Sequence, residues 1–167
     1  MSAATAPALK KNLEQRFENA VRTAMARVAS LDFRRVSIDD QCRHIGRLTA
    51  CQVALAGDGW TGCVVLLAPE NSGRELAARV TGAVADKGRY RGADIAEGFG
   101  SMTAAIGLQF GRHFVDEARV TVSMPVVTSG SDVSISFPWG QDFECRQSFV
   151  SSEGPIWGII RLSHLHA

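Results

Sequence analysis

A chain of 167 residues is long enough for one well-packed domain and too short for two ordinary ones. With 46% hydrophobic and 21% charged residues, it can build a sizeable core and lacks the composition of a disordered chain. Its 18 Lys and Arg residues against 17 Asp and Glu residues give a net charge of +1. That balance offers no general attraction to nucleic acid or to an anionic membrane. We therefore expect a single domain over residues 1–167, with neither nucleic acid nor membrane as partner.

The ends of the chain and its cysteines bear on location. Residues 1–8 read as a flexible N-terminus without the apolar core of a secretory leader, and no apolar run approaches the roughly 20 residues that span a bilayer. The four cysteines have no Cys-x-x-Cys spacing, so we expect reduced thiols in a cytoplasmic protein. The cysteines are Cys42, Cys51, Cys63 and Cys145.

The first half of the chain alternates between helix and strand patterns. Apolar residues at three- and four-residue intervals predict a helix over 8–31, and a short extended piece follows over 33–38. The helix stripe consists of Leu13, Phe17, Val21, Ala24, Val28 and Leu31. The run 44–55, the turn Gly57-Asp58-Gly59 and the apolar run 60–68 predict a hairpin whose second strand is buried.

Two further helices are predicted in the middle of the chain. Ser72, followed three residues later by Glu75, predicts a capping box that opens a helix ending near residues 86–88. A third helix over 93–114 carries one apolar stripe, made of Ile95, Phe99, Met102, Ile106, Phe110 and Phe114. Gly98, Gly100 and Gly107 inside it each cost about 1 kcal/mol relative to Ala, unless they mark close backbone approach.

The last part of the chain is again of strand type. We predict a strand over 119–124, an irregular crossing over 126–130, a strand over 132–137, and a hairpin of 142–150 and 156–164 that turns at 152–155. The whole order predicts an α+β fold, with a mainly antiparallel sheet packed against helices. Trp60 and Trp157 each lead the second strand of a hairpin, which suggests a weak internal repeat of helix plus hairpin.

General catalytic signatures are missing from the sequence. Neither a phosphate-binding glycine loop nor a Gly-x-Ser-x-Gly nucleophile turn occurs. Histidines occur at His44, His113, His164 and His166 without a third ligand in register, so we predict no metal site and no cofactor of the protein's own.

One stretch points to a specific family. It runs from Asp94-Ile95-Ala96-Glu97-Gly98-Phe99-Gly100-Ser101-Met102 through Gly107 to Val120-Thr121-Val122-Ser123-Met124-Pro125-Val126-Val127-Thr128-Ser129-Gly130. This pattern resembles the CheX/CheC family of chemotaxis phosphatases, in which a helix carries an acidic residue and a Glu-x-x-Asn pair, and a strand ends in Leu-Pro-x-Val-Val-x-Gly. The upstream Ile45-Gly46-Arg47-Leu48, Gly57 and Gly62-Cys63-Val64-Val65-Leu66-Leu67 are similar to the family's preceding hairpin, so the resemblance covers about residues 10–163.

The resemblance implies an activity and a partner. Members of the family remove the phosphoryl group from the phosphorylated aspartate of CheY-type response regulators. The Asn amide orients the attacking water, the Glu contacts a basic residue of the regulator, and the regulator supplies the Mg²⁺. A homodimer is also implied, because an exposed apolar strand edge invites pairing between subunits and the family commonly pairs this way.

The pair itself departs from the family pattern. If Glu97 is the acidic member, the Asn position falls on Gly100; sliding the register by one residue makes the pair Gly98 and Ser101. The candidate catalytic residues are therefore Glu97 and Ser101, and the candidate partner contacts are Asp94, Glu97 and Ser101. Gln109 is the nearest carboxamide on this helix, nine residues beyond Gly100 and about 13 Å further along its axis. Two functions remain open: hydrolysis of the receiver's aspartyl phosphate, or binding of a receiver or another signalling partner without hydrolysis.

Overall fold

A computed structural model describes residues 5–37, 46–82, 92–114, 120–131, 133 and 142–164. Its elements, in chain order, are α1 (Thr5–Val28), β1 (Arg34–Val36), β2 (Leu48–Gly57), β3 (Trp60–Pro69), α2 (Glu70–Thr81), α3 (Gly92–Phe114), β4 (Thr121–Val122), β5 (Val126–Gly130), β6 (Phe143–Ser151) and β7 (Gly154–His164). None of the helices in these ranges combines the length and the apolar character needed to cross a bilayer.

The strands form one sheet in the order β1-β6-β7-β3-β2-β4, and β5 also pairs with β2. Every pairing is antiparallel, which confirms the predicted α+β class with an antiparallel sheet. The predicted turn between β2 and β3 is confirmed as well. It consists of Asp58 and Gly59, and Gly59 has a φ of +75°, a conformation that costs glycine little.

The strand order matches the expected internal repeat. The segment α1-β1-β2-β3 is followed, after α2, by α3-β4-β5-β6-β7; each segment is a helix, then short strand structure (β1, or β4 and β5), then a hairpin. The last strands of the two segments, β3 and β7, pair at the centre of the sheet. The short strand of each segment pairs with the hairpin of the other, since β1 lies beside β6 while β4 and β5 lie beside β2.

The core lies between the helices and one face of the sheet. Phe17 of α1 and Phe110 of α3 meet edge to face, with ring centroids 6.2 Å apart. Four residues of the predicted apolar face of α3 are fully buried, namely Phe99, Met102, Ile106 and Phe110. Burying side chains of this size stabilises the fold by about 1.5–3 kcal/mol each relative to leaving them exposed. The helical periodicity therefore identified the faces of α1 and α3 that form the core.

The predicted capping box of α2 is wrong. The helix begins at Glu70, its N-cap is Pro69, and no side chain caps it by a hydrogen bond. Glu70 supplies the negative charge favoured in a first turn, and its backbone N–H bonds the carbonyl of Arg47. The helix also ends earlier than predicted, because Gly82 adopts the left-handed conformation that terminates it, with a φ of +68°.

The observed boundaries of other elements differ from the predicted ones by a few residues. Helix α1 runs from Thr5 to Val28 rather than over 8–31, so residues 5–8 of the predicted flexible N-terminus are helical, and Ser30 follows the helix with a φ of +52°. The turn between β6 and β7 consists of two residues, Ser152 and Glu153, instead of the predicted four. The start of the strand predicted from residue 44 and most of the strand predicted over 132–137 lie outside the described residues.

The irregular crossing predicted over 126–130 is also wrong. These residues form β5, which pairs with β2 from Gln52↔Val126 to Leu48↔Gly130. Only two residues of the predicted strand 119–124 are in β4. Met124 and Pro125 both lie opposite Val53, so one extra residue separates the two pairing registers, as in a β-bulge. The sequence pattern did not predict this strand, because a proline argues against a regular strand and the bulge interrupts the alternation of side chains.

A charged cluster on β6 and β7 has a predictable pH dependence. Glu144 accepts hydrogen bonds from Arg146 and Arg161. Partial burial opposes ionisation, but the two guanidinium groups lower the pKa of Glu144 overall. Its contribution to stability is thus present at neutral pH and is lost as the pH falls through that lowered pKa.

We expect Glu144→Gln to lower the free energy of unfolding by about 1 kcal/mol at pH 7, with the difference shrinking as the pH falls from about 5 through the lowered pKa of Glu144. Urea unfolding at several pH values measures it. The matched control is Glu75→Gln, because Glu75 is an exposed carboxylate on α2. An effect of Glu144→Gln that does not shrink as the pH falls would contradict the assignment to the ionised carboxylate.

Candidate functional site

The candidate residues lie on the N-terminal half of α3. Glu97 and Ser101 are exposed and one helical turn apart, about 6 Å along the axis. Asp94 is half-buried in the first turn of the helix. The structure thus brings Glu97 and Ser101 to one face, and Asp94 lies one turn nearer the start of the helix.

Position 100 points in a different direction. Gly100 is buried, and a Cβ atom built on it would lie 2.9 Å from Cγ and 3.1 Å from Cβ of Pro125. An asparagine at this position would therefore point into the segment that joins β4 and β5. The register that pairs Glu97 with position 100 cannot place an amide beside Glu97 at the surface of this helix.

The alternative register, which pairs Gly98 with Ser101, is excluded at position 98. Gly98 is buried against α2, where a Cβ would lie 2.6 Å from both the Cα and the carbonyl oxygen of Ala77. A carboxylate at position 98 would have to displace α2. The glycines at 98 and 100 therefore mark close approach, one of the two readings that the sequence left open.

The bulge between β4 and β5 braces this part of α3. The Ser123 hydroxyl accepts a hydrogen bond from the backbone N–H of Ala54 at 2.9 Å, and its backbone N–H bonds the Ala54 carbonyl at 3.0 Å. This fixes the strand just before Pro125, whose ring packs on Gly100. The Pro-Val-Val segment thus supports the helix backbone directly under Ser101. Sequence reasoning missed this contact, because only the paired strands bring residue 125 next to residue 100.

The one carboxamide on α3 belongs to a different surface. Gln109 is half-buried and lines a cleft of about 310 Å³ between α1 and α3, together with Arg27 and Arg112. It lies about 18 Å along the axis from Glu97. Gln109 therefore cannot replace an amide beside Glu97, in agreement with the sequence spacing.

Other chemistry can be located in the described part of the chain. Cys51, Cys63 and Cys145 are buried and free, as predicted, and burial raises the pKa of each thiol to about 11. Such thiols are protonated at neutral pH and are poor nucleophiles. Within the described residues no three His, Cys, Asp or Glu side chains come together to hold a metal ion. Cys42 and the side chains of the four histidines lie outside the described part.

Several solved structures share this arrangement of elements. A chemotaxis protein CheX from Vibrio vulnificus superposes with a TM-score of 0.71 at 15% identity, covering 90% of this chain and 96% of that one. A chemotaxis protein CheX from Desulfovibrio desulfuricans gives 0.69 at 16% identity over 90% and 99%. The CheX of a CheX-CheY-BeF3-Mg²⁺ complex from Borrelia burgdorferi gives 0.64 at 11% identity over 90% and 97%. No family model matches the sequence, and no curated protein matches it either.

The molecule is thus an α+β protein with one antiparallel sheet and a helical layer. More specifically, it has the fold of the CheX- and CheC-like chemotaxis proteins, as the resemblance in its sequence implied.

Proposed function

We propose that this protein binds the phosphorylated receiver domain of a CheY-type response regulator through the exposed N-terminal half of α3. The observation that carries this proposal is the placement of Glu97 and Ser101 on one exposed face of a helix braced by α2 and by Pro125. The chain shares its fold with a CheX that was solved in complex with CheY. A rigid helix that presents two polar side chains one turn apart is suited to entering a partner's site.

The charge of Glu97 is available to a partner. Neither Glu97 nor Ser101 makes a hydrogen bond or an ion pair with any residue in the described part of the chain. An exposed carboxylate without a partner of its own can pair with a basic residue of the receiver, which is the role that the family resemblance implies for it. Asp94 lies one turn earlier and adds negative charge to the same end of the surface.

Binding without efficient hydrolysis fits these residues best. Orienting a water for in-line attack requires a group that donates and accepts hydrogen bonds in a fixed plane, which a carboxamide provides. The face that carries Glu97 presents the Ser101 hydroxyl instead. Hydrolysis through Ser101 is the second candidate, since a hydroxyl at this position can still hold a water. In either case the Mg²⁺ comes from the receiver, and the two proteins meet in the cytoplasm.

A homodimer through the edge of the sheet is part of the proposal. Strand β5 pairs with β2 on one side, and two apolar side chains at its start are exposed, Met124 just before it at 86% and Val126, its first residue, at 67%. Exposed apolar residues at a strand edge favour pairing with a second strand. This edge lies next to the Pro125 segment that supports α3, so the dimer would hold the two helices in a fixed relation.

The binding proposal is tested with a receiver domain loaded with Mg²⁺ and BeF3, in which BeF3 stands in for the phosphoryl group. We expect Glu97→Gln to raise the Kd measured by calorimetry by about twofold to fivefold, because one exposed ion pair is lost. The matched control, Glu75→Gln on α2, should leave the Kd unchanged. Equal affinity of wild type and Glu97→Gln would show that this face is not the binding surface.

Hydrolysis is measured separately, as phosphate loss from the Mg²⁺-loaded, phosphorylated receiver with and without the protein. Binding without acceleration supports the binding module. Acceleration that is lost in Glu97→Ala instead supports the second candidate, with Ser101 in place of the amide. If the protein neither binds nor accelerates, both candidates are wrong.

A further inference from the structure

The outer face of α3 continues beyond the proposed receiver site. Its exposed residues recur at helical spacing and are Glu97, Ser101, Leu108 and Arg112, with the half-buried Ala104 and Ala105 between them. They fall within an arc of about 100° around the helix axis, and Glu97 and Arg112 are about 22 Å apart along it. We call this set the α3 stripe. It is acidic at one end, basic at the other, and made of two alanines at its centre.

The stripe and the cleft beside it carry an exposed apolar side chain and charged groups that have no partner within the described chain. Leu108 is one of few large apolar side chains that are exposed, at 42%. Arg27 and Arg112, which line the cleft next to it, make no hydrogen bond or ion pair with the described residues. Glu97, at the other end, is without one too. Opposite charges thus stand at the two ends of one helix with no partner in the described part of the chain.

Two copies of the stripe are complementary in charge when their helices lie antiparallel. Placed against an antiparallel copy, Glu97 faces Arg112 of the second copy, Ser101 faces Leu108, and Ala104 faces Ala105. Both ends then form the same ion pair, and the small central residues allow the two backbones to approach closely. Antiparallel helices also place the positive end of one helix dipole beside the negative end of the other.

We propose that a second copy of this chain docks on the α3 stripe in this antiparallel register. The carboxylate of Glu97 of the second copy enters the cleft where Arg27 and Arg112 provide two guanidinium groups. A parallel copy would instead set Glu97 against Glu97 and Arg112 against Arg112, and like charges at these positions repel. The self-complementary order of charges favours a second copy over an unrelated acidic protein, which would match only the basic end.

This contact has a consequence for the proposed function and in that respect rests on it. Docking covers Glu97 and Ser101, so receiver binding and self-association through the stripe exclude each other. The contact is separate from pairing at the β5 edge, which would use other exposed residues, Met124 and Val126. The stripe therefore provides an inactive, self-associated form that the phosphorylated receiver must displace.

Disulfide cross-linking tests the register without any receiver. In the antiparallel register, residue 105 lies at the two-fold axis, whereas residue 93 lies about 35 Å from its copy. We expect Ala105→Cys to form cross-linked dimers on mild oxidation, while Ala93→Cys on the same helix does not, because cysteines more than about 7 Å apart between Cα atoms cannot be bridged. The wild-type chain, which keeps its native cysteines, is the blank.

Charge exchange in the Ala105→Cys protein tests the ion pairs. We expect E97R or R112E to slow cross-linking by roughly tenfold, since each turns both symmetry-related pairs from attraction to repulsion, and the double variant E97R/R112E to restore it. R34E, which alters an exposed arginine on β1, is the control and should have no effect. Raising NaCl from about 50 mM to about 500 mM should slow cross-linking of the parent protein and of the restored double variant.

Specific results would overturn the proposal. Cross-linking of Ala93→Cys as readily as Ala105→Cys would show a parallel or nonspecific contact. Failure of Ala105→Cys to cross-link, or failure of the double variant to recover, would show that a second copy does not use this stripe, whatever the receiver assays give. If the cross-linked dimer binds the Mg²⁺ and BeF3-loaded receiver as tightly as the reduced protein does, the stripe does not block the site.

Discussion

Gly98→Ala is expected to lower the free energy of unfolding by about 3 kcal/mol, at the upper end of the usual cost of overpacking a core. The added methyl would lie 2.6 Å from the Cα and the carbonyl oxygen of Ala77. These are backbone atoms of α2, so no rotamer change relieves the contact and the two helices must move apart. Urea unfolding followed by circular dichroism measures the loss.

Gly92→Ala is the matched control for this prediction. Gly92 begins the same helix, and a Cβ there meets nothing within 4 Å, so alanine should be neutral or slightly stabilising. Gly107→Ala should cost less than Gly98→Ala, because its nearest neighbour is the movable Cδ2 of Leu55 at 2.9 Å. Equal stability of wild type and Gly98→Ala would mean that α2 and α3 are not held together at this point.

The sequence predicted the parts of the fold that rest on local periodicity. Apolar residues recur every three to four positions in α1 and α3. The residues predicted to face inward, such as Phe17 and Phe110, are fully buried. The hairpin of β2 and β3 was recognisable from its Asp58-Gly59 turn, since the required backbone conformation restricts the residues that occur there. These signals lie within a few residues of each other and need no tertiary context.

The sequence failed where distant segments decide the local structure. Strand β5 exists because β2 offers it a paired edge, which overrides the proline and the bulge that precede it. The residues Ser72 and Glu75 have the spacing of a capping box but do not cap the helix, because α2 begins three residues earlier, with Pro69 as its N-cap. Hydrogen bonding and packing between distant segments outweigh such local preferences.

The candidate site shows the same division. The resemblance implied that α3 is the functional helix, with Glu97 and Ser101 as candidates, but two registers of the pair were equally compatible with the sequence. Only the positions of Ala77 and Pro125 show that 98 and 100 face inward. The cleft that Arg27 and Arg112 line had no sequence signal, because its two walls come from α1 and α3.

Ser101→Asn is expected to accelerate phosphate loss from the phosphorylated receiver by about tenfold to a hundredfold over the wild-type protein. Position 101 is exposed one turn after Glu97, so an asparagine there directs its amide to the same face. Because orientation of a reacting water contributes through geometry, a misplacement of about 1 Å can already cost about a hundredfold. The rate is measured with the Mg²⁺-loaded receiver at equal occupancy of the complex.

Two variants separate the amide's role from its size and position. Ser101→Asp has the same shape as asparagine but cannot donate a hydrogen bond when ionised, so it should give no acceleration. Gly100→Asn places the amide against Pro125 and should lower stability without raising the rate. If Ser101→Asn binds the receiver normally and still fails to accelerate hydrolysis, more than the amide is missing, since the face would then dock the receiver with its phosphoryl group out of reach of position 101.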